Sequence, residues 1–86
     1  MEIEAAAERE VSRINKIMPK VKAIKVEGEE LISFAKNYAS DAEFFLKKSK
    51  FVEAFEAAII AWAYVDIGFK QDLLEVPENL RKNFSK

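Results

Sequence analysis

The chain has 86 residues, half of them apolar and 34% charged, a balance that fits one globular domain over 1–86 with a modest core. Fourteen basic against fifteen acidic residues leave a formal net charge of −1, so no overall field draws the protein onto nucleic acid or an anionic membrane. The absence of Cys and His removes disulfides, thiol nucleophiles, the commonest zinc ligands and the usual proton carrier near neutral pH.

The opening MEIEAAAEREV carries acids where a secretory signal has a basic segment followed by an apolar one, so a cytoplasmic location is expected. From Ile3 to about Ile24, the residues Ile3, Ala7, Val11, Ile14, Ile17 or Met18, Val21 and Ile24 recur at spacings of three and four. That spacing predicts an amphipathic first helix over about 3–24. Pro19 falls inside it and lacks the N–H for the bond to residue 15, so a kink is expected there, with a split at Met18 as the alternative. Lys25 to Glu29, containing Gly28, is read as the first turn.

A second helix is expected over about 29–48. Leu31, Ala35, Tyr38, Ala42 and Phe45 form its stripe, widened by Ile32, Ala39 and Leu46. Lys47, Lys48 and Lys50 crowd the next connection, with Ser49 as a candidate N-cap for the third helix. So short a link lays the second and third helices antiparallel.

The third helix, about 50–76, is the one around which the rest is organised. Eleven of the twelve residues from Ala54 to Val65 are apolar, Glu56 being the exception. A helix on the rim of a bundle needs an apolar stripe only about 100° wide, whereas this one is apolar nearly all round. Glu53, Glu56 and Asp66 break the run well before the roughly 20 apolar residues that a bilayer requires. Other surfaces must therefore cover it. The tail, 77–86, is polar apart from Leu80 and Phe84 and either adds a helical turn after Pro77 or frays. The expected fold class is all-α, a three-helix up-down-up bundle with a long central C-terminal helix.

Asp66, at the end of the apolar run, has Lys70 one turn on and is read first as half of a structural ion pair. Asp41 and Asp66 lining one pocket would instead suggest a small-ligand binder or enzyme. Carboxylates on facing helices could hold a metal, but di-iron bundles recruit Glu-x-x-His pairs, and His is missing here. No Gly-rich phosphate loop or nucleophile elbow is present, so no catalytic, cofactor or metal site is expected, and the chain is read as not an enzyme. The lysines at Lys16, Lys20, Lys22 and Lys25 and at the hairpin turn, beside many aromatics, raise a nucleic-acid accessory role. The core spacing of those aromatics favours packing or a protein interface over it.

Trp62 and Tyr64, two positions apart, cannot face the same groove, so at least one is expected to meet a second surface. Ile59, Ile60, Trp62 and Tyr64 are accordingly the candidate interface. The functional reading is a non-enzymatic protein-interaction module that self-associates through the third helix, as a homodimer, with an unidentified protein partner as a further possibility.

One stretch carries a family resemblance. Tyr38-x-x-Asp41-Ala42-x-x-Phe45-Leu46, a short polar turn, Phe51-Val52-x-Ala54-Phe55, and Ala61 leading to Asp66-x-Gly68 resemble the small archaeal family catalogued as domain of unknown function 357. The likeness covers the second and third helices. It departs at the turn, where a Gly-Asp pair is usual and Ser49-Lys50 stands, and at Ile60, where an aromatic is more typical. What the resemblance implies is a three-helix archaeal protein with no assigned activity. Tyr38, Asp41, Asp66 and Gly68 are motif positions to which it gives no role.

Overall fold

The computed structural model describes residues 2–84, so positions 1, 85 and 86 of the expected domain and tail lie outside the described residues. Three long helices dominate: α1 (Glu2–Ile17), α2 (Val26–Lys47) and α3 (Phe51–Lys70). Two short extended segments, β1 (Lys22–Ala23) and β2 (Leu74–Glu75), pair antiparallel, with Lys22 opposite Glu75 and Ala23 opposite Leu74. That pairing fixes the ends of α1 and α3 at the same pole of the molecule, which makes the order up-down-up. α3 packs against both other helices and is the central element.

α1 is shorter than its periodicity suggests. It stops at Ile17, and Met18–Lys20 form a single 3-10 turn before Val21 turns extended at φ −85°, ψ 133°. Pro19 offers no N–H to the carbonyl of residue 15, so the α-helix gives way there to the 3-10 turn instead of kinking. Met18 and Val21 are buried all the same, which is why the apolar phase runs on past the helix. Ile24 does not follow them and is 55% exposed.

α2 begins at Val26, three residues earlier than its stripe indicates, and Gly28 lies within its first turn. A Cβ at Gly28 would run into the carbonyl oxygen of Leu73, and one at Gly68 would strike the Leu74 side chain. Both glycines therefore serve the same close approach, letting residues 73 and 74 cross between α2 and α3. Leu74 in turn is 1% exposed and is among the largest fully buried side chains.

Both later helices end in the same way. Ser49 takes a φ of 59°, with Ser49 N–H donating to Leu46 O and Lys50 N–H to Phe45 O. Asp72 takes a φ of 58°, with Asp72 N–H donating to Phe69 O and Leu73 N–H to Gly68 O. These are Schellman closures, which satisfy the last carbonyls by placing one residue in the left-handed region. Ser49 is thus the residue that stops α2; Lys50, without a side-chain cap, precedes α3. The second closure ends α3 at Lys70, and the Leu74–Glu75 stretch, helical by its sequence pattern, is strand.

The core between α2 and α3 is built largely from alanine: Ala35, Ala39 and Ala42 from one side, Ala54, Ala57, Ala58 and Ala61 from the other, all buried. Small side chains let two helix backbones approach toward the short end of the usual 8–10 Å separation. Bulk enters at the α1 side and the tail pole, through Ile14, Val65, Leu74 and Val76.

Candidate interaction surface

At 100° per residue α3 presents three sides. Trp62 marks the side toward α1 and the tail. Its ring stacks on Phe84 at 4.6 Å and 7°, and the Arg13 guanidinium sits 4.0 Å over its face. Arg13 also donates to Glu10 Oε1 at 3.1 Å, while Arg9 holds Glu10 Oε2 at 3.2 Å; the Glu10 side chain is 10% exposed. A buried carboxylate thus steadies the cation that caps the indole. The tail, a 3-10 turn over Glu78–Asn83, ends in this arrangement rather than fraying, because Phe84 is buried against Trp62 and Phe69.

Tyr64 marks the side toward α2, stacked on Phe34 at 5.5 Å and on Tyr38 at 5.9 Å. Trp62 and Tyr64 do point in different directions, as their spacing requires. Each finds a ring partner within the chain and is left partly exposed.

The third side is open. Val52, Glu53, Glu56, Ile59, Ile60, Ala63, Ile67 and Lys70 are all exposed and together cover an arc of about 120°. Five of these eight are apolar, with Val52 at 54%, Ile59 at 41%, Ile60 at 40% and Ile67 at 55% exposure. Ile59 and Ile60, two of the candidate interface residues, are on this side. Val52 and Ile67 are not among those candidates, although they fall seven or eight residues from those two, the spacing that returns a helix to the same face.

Asp66 Oδ2 accepts from Lys70 Nζ at 2.8 Å, the ion pair expected one turn apart. Its other oxygen, Oδ1, is buried without a hydrogen-bond partner. Asp41 is exposed and lines a shallow groove of about 230 Å³ with Tyr38, Phe45, Glu53, Glu56, Ala57 and Ile60. Asp66 is not part of it, being about 120° around α3 from Ile60. The two carboxylates therefore do not meet in this groove, and it gives no support to the ligand or enzyme reading built on their convergence. Among the described residues no three acidic side chains converge as a metal-holding group. Of the four motif positions, Tyr38 and Asp41 meet in this groove, Gly68 accommodates Leu74, and Asp66 holds Lys70.

The lysines do not form one surface either. Lys20, Lys22 and Lys25 lie at the pole where α2 begins, and Lys47, Lys48 and Lys50 at the pole where it ends. Twenty-two helical residues separate them by about 33 Å. Among the described residues no helix is long and apolar enough to cross a membrane.

Comparison with known proteins agrees with this architecture. The family model described as "Protein of unknown function (DUF357)" matches residues 4–74. The crystal structure of protein AF1782 from Archaeoglobus fulgidus, assigned to the same family, is similar with a TM-score of 0.78 and 26% identity, covering 88% of this chain and 95% of that one. No curated protein matches. The matched span takes in all three helices and ends at Leu74, the side chain for which Gly28 and Gly68 make room, and on that ground the chain belongs to the DUF357 family of proteins of unknown function.

Proposed function

We propose that the protein is a non-enzymatic interaction module of the archaeal cytoplasm that self-associates through the open side of α3. The observation that carries this reading is the row of Val52, Ile59, Ile60, Ala63 and Ile67, exposed on the most apolar helix of the chain. Apolar side chains scattered singly over a surface need no explanation, but a contiguous row on one helix marks a surface made to be covered. The other two sides of α3 are already occupied, by α1 with the tail and by α2. Among the described residues the third side has no covering element. The archaeal origin of the similar structure and the absence of a membrane-crossing helix among the described residues support the setting.

Light scattering on the wild type, Ile60→Glu and Ile67→Glu, with helicity followed by circular dichroism, tests the reading. A glutamate in the covered row would have to be buried unpaired, so each variant is expected to become monomeric with helicity unchanged. Variants that keep the wild-type mass would contradict the placement of the interface. Trp62→Glu strikes the internal stack with Phe84 instead and is expected to loosen the tail.

A further inference from the structure

The open side of α3 carries charges placed symmetrically about its middle. Ala63 is at the middle of the row, with Glu56 seven residues before it and Lys70 seven residues after. All three are exposed within the same arc, and Ile59 and Ile67 stand symmetrically one turn to either side of Ala63. Lys70 Nζ is held on this side of the helix by Asp66 Oδ2 at 2.8 Å, which leaves further ammonium hydrogens free to donate.

Resting on the self-association reading above, we propose that the partner is a second copy of this chain, with α3 packed antiparallel on α3 about a two-fold axis beside Ala63. A two-fold interface must be complementary to itself, with residue i meeting j and j meeting i. Turning α3 about Ala63 brings Ile59 level with Ile67 of the second copy and Glu56 level with its Lys70, each pair occurring twice. The smallest side chain in the row falls on the axis, where two helices must come closest. The parallel arrangement fails this test, since it sets Glu56 against Glu56 and Lys70 against Lys70. An axis beside Ile60 fails as well, because it places Glu53 level with Ile67 and leaves Lys70 without an acid.

Because the chain contains no cysteine, single cysteines report the geometry directly. In this packing Ala63→Cys meets its own copy and forms an intermolecular disulfide rapidly under mild oxidation. Glu56→Cys does not, because the two sulfurs would start from backbones about 21 Å apart, against the 7 Å limit for bridging. An equimolar mixture of Glu56→Cys and Lys70→Cys cross-links to the mixed dimer. In parallel, Glu56→Lys is expected to weaken association about tenfold, and Glu56→Lys/Lys70→Glu to restore it. If the wild type is dimeric but Glu56→Cys cross-links to itself, or Ala63→Cys does not, the antiparallel register is wrong while self-association stands. A monomeric wild type overturns both.

Discussion

Ser49 closes α2 at a φ of 59°, a conformation that costs a residue with a Cβ about 1–2 kcal/mol and glycine almost nothing. Ser49→Gly is therefore expected to stabilise the fold by about 1 kcal/mol, read as a higher urea midpoint at unchanged m-value. At the other pole, Phe84 completes the stack of Arg13, Trp62 and itself. Phe84→Ala is expected to cost about 1.5–3 kcal/mol and, since Trp62 is the sole tryptophan, to shift its emission to the red as the indole meets water. An unchanged spectrum would show that the tail does not cover the ring. The stack of Phe84 on Trp62 is not legible in the sequence because a single helix cannot show what a polar tail will bring back from 22 residues further on. The Asp66–Lys70 pair is legible for the opposite reason: both partners lie on one helix, one turn apart.

At the scale of elements, the alanine seam between α2 and α3 sets their separation, and it has no room for larger side chains. Ala61→Leu, at a position with 0% exposure, is expected to destabilise by about 1–3 kcal/mol or to splay the hairpin, visible as a broadened, less cooperative unfolding transition. Leu74→Ala acts on the opposite defect. It empties the space that Gly28 and Gly68 leave open, and about 2–5 kcal/mol of stability should go with it. Helix existence and the apolar stripes of α1, α2 and α3 are readable from spacing alone. The ends are not. α1 stops at Ile17 because a proline removes one donor, and α3 at Lys70 because Asp72 turns left-handed. The periodic pattern nonetheless continues beyond both, since Met18, Val21, Leu74 and Val76 are buried in the core although they lie outside the α-helices.

For the whole molecule, the balance lies between the apolar surface of α3 and what 86 residues can cover. Two helices and a tail shield two sides of it, and the third remains open with Val52, Ile59, Ile60, Ala63 and Ile67 in a row. That an uncovered side would exist is legible from the near-continuous apolar run of Ala54 to Val65. Which residues line it is only half legible, because the choice depends on where α1 and the tail come to rest. Sedimentation equilibrium of the wild-type protein over a range of concentrations tests self-association most directly. The predicted mass approaches twice the 9.8 kDa of the chain as concentration rises, with Ile67→Glu remaining at the single-chain mass. A wild type that stays at the mass of one chain up to millimolar concentration would contradict it.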